Sequence, residues 1–172
     1  IASKFKINEI NRILPFYDQD IIEDDQARFL HVKIKNINLI CLYLPNGNPA
    51  PGPKYDYKIN WMKRLIKYTE DIYDKNEPLI LGGDFNVIQE DIDCYDISKW
   101  HDDALYLEKT RRHMKELINI GLIDSYRLKY PNLKEYSFWD YQAGAWQKDN
   151  GIRIDFFLIS PEIVDTLIDV GI

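Results

Sequence analysis

Gly82-Gly83-Asp84-Phe85-Asn86 closes an apolar run with a carboxylate and a carboxamide two positions apart. Such a run, ending in glycines, predicts a buried strand, and in extended backbone residues i and i+2 point to the same side. Asp84 and Asn86 are therefore expected to reach one reacting centre. There the carboxylate can orient or deprotonate a water, and the amide can hydrogen-bond a non-bridging oxygen without titrating. An Asp/Asn turn after a strand is the plainer reading of the same residues. Tyr43-Leu44-Pro45-Asn46-Gly47 sets a hydroxyl at the end of an aliphatic strand, where it either meets a polar cleft or is satisfied locally. Gly151-Ile152-Arg153-Ile154-Asp155 leads a carboxylate into an apolar strand. That is costly unless the group is paired, so Asp155 is expected to have a partner, structural or catalytic. Tyr136-Ser137-Phe138-Trp139-Asp140-Tyr141 holds four aromatics in six residues. These are core by default, but aromatics beside a cleft also receive an unstacked base or sugar.

The elements that must carry these groups follow from hydrophobic patterning. Residues 28–34 alternate in part and suit a strand, and residues 38–44 are apolar on both faces, like a central strand. The short span between them fits a hairpin. Residues 46–53, dense in Pro, Gly and Asn, form a stiff loop after that strand. Ile59, Met62, Leu65, Ile66, Thr69, Ile72 and Tyr73 trace one face of a helix that Pro78 ends. Residues 79–84 are a second buried strand, and the acidic residues 89–103 a loop. Leu107, Met114, Leu117, Ile118 and Leu122 predict another helix, with Gly121 as its stop. Residues 136–141 and 154–160 read as strands, with a helical turn from Pro161. Mixed strands and helices without strict alternation argue a layered α/β sandwich with a mixed or antiparallel sheet.

The 172 residues suit one domain with ample core, at 45% hydrophobic and 13% aromatic. Basic side chains number 22 against 28 acidic, for a net charge of −6. No apolar run approaches the roughly 20 residues of a transmembrane helix, so a soluble protein without a membrane partner is expected. Charged residues at 29%, mixed with Tyr, Ile and Leu, exclude disorder as the dominant state. Cys41 lies in a strand expected to be buried and Cys94 in an acidic loop, with no disulfide or zinc spacing, so a reducing, cytoplasmic setting is the default. His31, His101 and His113 have no nucleophile in a recognisable context. Neither a Walker loop nor a dinucleotide fingerprint occurs. No signal-peptide pattern opens the chain, and both ends read as interior strands cut short.

Taken in order, Tyr-Leu-Pro-Asn-Gly-Asn-Pro, Leu-Gly-Gly-Asp-Phe-Asn-Val, Gly-Leu-Ile-Asp-Ser-Tyr-Arg, Ser-Phe-Trp-Asp-Tyr and Gly-Ile-Arg-Ile-Asp resemble the exodeoxyribonuclease III family. This is the AP endonuclease branch of the endonuclease/exonuclease/phosphatase superfamily. The resemblance implies a deoxyribonuclease I-like, four-layer α/β sandwich of two mixed sheets flanked by helices, with residues 1–172 a single, incomplete domain. It implies a Mg²⁺-dependent phosphodiesterase, with Mn²⁺ as a substitute, that cuts duplex DNA 5′ to abasic sites and degrades 3′ ends as a monomer. Tyr43, Asp84, Asn86 and Asp155 would be catalytic: Tyr43 beside the scissile phosphate, Asp84 on the attacking water or as general acid, Asn86 on the phosphate, Asp155 fixing a histidine. Asp84 and Asn86 would also face the metal. Asn46, Phe138, Trp139, Ile152 and Arg153 would face the DNA, with Phe138, Trp139 and Ile152 forming the pocket for a flipped-out abasic sugar.

Two family pieces have no counterpart in these residues. No Gln-Glu precedes Tyr43, so the metal's main Glu ligand is expected outside this chain, and no Ser-Asp-His occurs to supply the histidine. Negligible activity is accordingly expected of the 172 residues alone. The competing readings are another phosphodiesterase of the superfamily, acting on a phospholipid or inositol phosphate, and a catalytically inactive DNA-binding protein. The acidic balance requires that DNA affinity come from a local basic face and fall steeply with salt.

Overall fold

The computed structural model describes residues 1–17, 24, 26–73 and 77–172. The elements run β1 (Ile7–Asn11), β2 (Phe29–Ile34), β3 (Ile37–Tyr43), α1 (Pro53–Tyr73), β4 (Leu79–Asp84), α2 (Glu108–Asn119), β5 (Ile123–Asp124), α3 (Ser125–Lys129), β6 (Phe138–Trp139), β7 (Gly151–Ile152) and β8 (Asp155–Ile159). Short 3-10 turns at Asp91–Asp93, Ile97–Lys99 and Pro161–Thr166 complete them.

β2 and β3 form the expected hairpin, antiparallel from Phe29↔Leu42 to Ile34↔Ile37. β4 then lies parallel to β3, as α1 crosses between them. Proline opens α1 with a backbone angle already suited to a first helical turn, so the helix starts at Pro53, directly on the loop, rather than at the first periodic residue. α2 stops where expected: Gly121 adopts φ +124°, a conformation that other residues rarely enter. The sheet order is β1-β2-β3-β4-β8-β5, and β6 pairs with β7 in a separate two-stranded ribbon. The molecule is thus α/β with a mixed sheet. Among the described residues the layers are this six-stranded sheet, its helices and the ribbon.

Alternation decides what each strand face meets. Ile40, Leu42, Leu79, Leu81, Phe156 and Leu158 pack with Ile59, Met62 and Leu65 of α1 and Met114 and Leu117 of α2 in one core. The other face presents Cys41, Tyr43 and Phe157, the last two about half exposed at 50% and 51%. This reverses the expectation for the two cysteines: Cys41 is exposed and Cys94 is buried. An uninterrupted apolar run carries no parity, so its sequence cannot tell which positions face inward. At the ends, β1 is an exposed edge strand over residues 7–11 rather than an interior one at 1–5, and residues 167–172 form no strand.

The glycines of β4 are required by contact. Gly83 has φ +142°, and a Cβ there would lie 2.0 Å from the Leu42 carbonyl oxygen. Gly83→Ala must therefore push β3 from β4. We expect a loss of more than about 2 kcal/mol in stability, read as a lowered urea midpoint. A midpoint matching the wild type would show that the two strands separate at no cost.

Candidate active site

Register brings the candidate groups together. Tyr43 pairs with Asp84 across β3 and β4, and Asp84 pairs with Asp155 across β4 and β8. Register partners project to the same face, and neighbouring strands lie about 4.8 Å apart. A hydroxyl and two carboxylates therefore stand in a row at one end of the sheet. Arg28 extends the row beyond Tyr43. Its carbonyl accepts from Tyr43 N at 2.8 Å, and its guanidinium carbon lies 4.8 Å from the Tyr43 ring centroid.

Asp84 is half-buried at the mouth of β4, and its pKa is pushed up to about 6. Burial is the main cause. The Asn86 N–H opposes it, and the Asp155 carboxylate adds to it. A group so placed is mostly ionised at neutral pH yet close to its titration range, which suits proton transfer.

Asn86 reaches Asp84 by a different path from the one its spacing implies. The strand ends at Asp84, and Asn86 takes φ +48°, turning back into the protein. Its backbone N–H donates to Asp84 Oδ1 at 2.7 Å, and its Nδ2 donates to Asp84 Oδ2 at 3.2 Å and Leu44 O at 2.8 Å. Its Oδ1 accepts from Asn46 Nδ2 at 3.1 Å. The Asp/Asn turn and the functional pairing are thus one structure. Asn86 is buried, both its amide hydrogens are committed, and its position is that of a group that aims Asp84.

Asp155 is exposed, and among the described residues it forms no ion pair. Within these residues water reaches the carboxylate and meets the cost of its charge. Its strand is pinned instead by Ser137, whose hydroxyl accepts from both Ile154 N and Asp155 N at 3.1 Å.

Ser137 also opens a cleft of about 470 Å³ lined by Phe138, Trp139, Tyr141, Ala145 and Trp146 among others. Trp139 and Trp146 meet edge to face with centroids 4.5 Å apart, and Trp146 is 67% exposed. Phe138 and Trp139 of the aromatic run both line this cleft, rather than the core that is the default for such residues. Trp146 escaped the sequence reading because it sits alone in a loop without periodicity.

Two DNA-facing expectations are corrected. Ile152 is buried with Ile88, Cys94, Leu105 and Ile154 and does not line the cleft. Arg153 is 1% exposed; its Nε bonds Asp93 and its Nη2 bonds Asp124, each at 2.8 Å. Arg127 joins the same Asp93 carboxylate, and Asp124 also caps α3 through Tyr126 N and Arg127 N. A guanidinium with these partners is an internal strut and has no face to offer a phosphate.

A further group that pattern reading passed over is Lys58, fully buried on α1, with its ammonium on three backbone carbonyls. The signal was present: Lys58, Met62 and Leu65 share one helix face at steps of four and three, so a charge occupies a core position. Burial pushes its pKa down to about 7, against the pull of Asp103 and Asp84.

The sequence model of the Endonuclease/Exonuclease/phosphatase family matches residues 1–171. The chain is 30% identical over 150 residues to an exodeoxyribonuclease of Bacillus subtilis, covering 87% of this chain and 59% of that protein. It is 28% identical over 162 residues to exodeoxyribonuclease III of Haemophilus influenzae, covering 87% and 61%. Among solved structures, a 3′-5′ exonuclease from Neisseria meningitidis superposes with a TM-score of 0.82 at 33% identity, covering 86% of this chain and 57% of that one. A Neisseria 3′ phosphatase bound to a product DNA hairpin gives 0.80 at 32%, covering 83% and 56%. The chain thus spans a little over half the length of these relatives.

Proposed function

The chain belongs to the endonuclease/exonuclease/phosphatase family, and from that premise we propose that the protein is a divalent-metal-dependent phosphodiesterase of DNA repair, cutting duplex DNA 5′ to abasic sites and removing nucleotides from 3′ ends. The observation that carries this reading is the Tyr43–Asp84–Asp155 row beside the Trp139–Trp146 cleft, the two sharing Ser137. The proposal takes residues 1–172 as part of one catalytic domain, acting as a monomer in a reducing, cytoplasmic compartment.

Asp84, ionised at neutral pH, takes the proton of the attacking water. Asn86 and, through it, Asn46 hold the carboxylate in place. The Tyr43 hydroxyl, exposed next in the row, donates to a phosphate oxygen as charge builds there. Asp155 orients groups that arrive beside the phosphate. The aromatic cleft takes the sugar of a nucleotide that lacks its base, since such a nucleotide costs least to extrude.

Among the described residues no three His, Cys, Asp or Glu gather as a metal site. Asp84 and Asp155 nevertheless concentrate two carboxylates, with Asp155 raising the cost of charge on Asp84, and Mg²⁺ typically leans on one or two such groups. The pair fits part of a ligand set, with Asp84 its anchor; Asn86, whose amide is committed, fits less well. An ion there would neutralise phosphate charge.

The test is a strand-cleavage assay of the full protein on duplexes carrying a synthetic abasic site, an intact site or a recessed 3′ end. Mg²⁺, Mn²⁺ and chelator define the arms. Cutting of the abasic and recessed duplexes, abolished by chelator, is expected. Cleavage of a phospholipid or inositol phosphate in preference to DNA would overturn the reading.

A further inference from the structure

The Lys58 side chain has no exposed surface and enters the space between three loops. An ammonium carries three donors, and each finds a carbonyl from a different loop. Asn46 O lies at 3.0 Å in the loop after β3, Asn86 O at 2.7 Å in the turn after β4, and Ala104 O at 3.1 Å in the segment before α2. The surroundings are built for this stem. A Cβ at Gly47 would lie 2.6 Å from Lys58 Cδ, so glycine leaves the passage open. Asn48 ties two of the same loops again: its Nδ2 donates to both Asp103 oxygens and its Oδ1 accepts from Ala104 N.

An apolar side chain of the same length would serve the core without the cost of stripping water from a charge. What the ammonium adds is a fixed spacing among three loop carbonyls. One of them belongs to Asn86, the left-handed residue whose N–H and Nδ2 hold both oxygens of Asp84. Another belongs to Asn46, which donates to Asn86 Oδ1.

We propose that Lys58 is a positioning residue of the phosphodiesterase site, setting the aim of the Asp84 carboxylate through the three loops it joins. The role in cleavage rests on the function proposed above; the tethering of the loops does not.

The experiment uses the full protein as wild type, Lys58→Met and Lys58→Arg, and reads hydrogen exchange by segment together with kcat and KM on the abasic duplex. In Lys58→Met, amide exchange is expected to rise about tenfold in residues 44–52, 85–89 and 101–107, with β2–β4 unchanged. kcat is expected to fall about 100-fold, as loss of alignment does, while KM moves less than about threefold. Lys58→Arg, which keeps charge and donors, should recover part of both. If Lys58→Met fails to fold, Lys58→Gln is read in the same way. Exchange that is unchanged, or raised equally throughout, overturns the proposal, as does a kcat within about twofold of wild type. Should the wild type cut no duplex, the cleavage reading falls, and exchange in the three loops alone decides whether Lys58 tethers them.

Discussion

Asp84→Asn is expected to slow strand cleavage by about 10²–10⁴-fold while duplex binding persists, because the variant keeps the shape of the site but cannot accept a proton. A rate near that of the wild type would remove Asp84 from the mechanism. In the metal-free wild type, the carboxylate takes up its proton as pH drops through about 6. The same substitution has a signature in stability. The folded protein raises this pKa from 3.8 to about 6, so it holds the Asp84 proton more tightly than the unfolded chain does. The stabilisation from that proton is complete below the unfolded value and is lost as pH rises through the folded one. Asparagine does not titrate. Between pH 4 and pH 7 the variant should therefore gain on the wild type by on the order of 1 kcal/mol, after allowing for screening by the water that reaches the group. Urea melts of both proteins at the two pH values measure this difference. A gap that stays constant, or moves the other way, would show that Asp84 is not strained by burial.

Arg153→Met is expected to cost about 3–5 kcal/mol of stability, because it leaves Asp93 and Asp124 short of a buried partner. Domain stabilities run roughly 5–15 kcal/mol, so this is a large fraction of the whole. The side chain also fills space between the Tyr126 and Phe156 rings, its guanidinium carbon 5.3 and 4.4 Å from their centroids. An arginine that instead contacted phosphate would change stability by no more than about 0.5 kcal/mol on removal, and would lower the salt dependence of DNA binding by about one charge. The two roles are therefore separable in one protein. Urea midpoints of Arg153→Met, Asp93→Asn and the double variant decide the first, and the salt slope of duplex binding decides the second. A double variant that costs less than the sum of the singles is the expected mark of coupling.

The sequence made some of this legible and hid the rest for identifiable reasons. Asp84 could be found because a short aliphatic run ending in two glycines has few interpretations, and both β3 and β4 formed where apolar runs placed them. α1 and α2 followed from period and the stop of α2 from Gly121, but the start of α1 at Pro53 lay in a span that reads as loop. The faces of β3 could not be read: Asn38 is buried against His31, and Cys41 is exposed, within a run apolar at nearly every step. Arg153 misled because its partners, Asp93 and Asp124, lie in remote segments that only the fold joins. Asn86 arrived at Asp84 by a reversed turn rather than by extended alternation, so the right pair was named from the wrong geometry. Lys58 was visible as a charge out of place on an apolar helix face, but nothing local indicates which carbonyls await it.

The row of Tyr43, Asp84 and Asp155 exists because three strands from distant parts of the chain adopt one alignment. No stretch of local structure contains two of its members on separate strands in their final spacing. The hairpin of β2 and β3 can form early and carry only Tyr43. The crossover through α1 must close before Asp84 stands beside it, and β8 must arrive from near the other end before Asp155 completes the line. Contacts that distant in sequence form slowly. The row is therefore incomplete until both β3 and β8 have joined β4. Alignment of the three groups and completion of this part of the sheet become a single event.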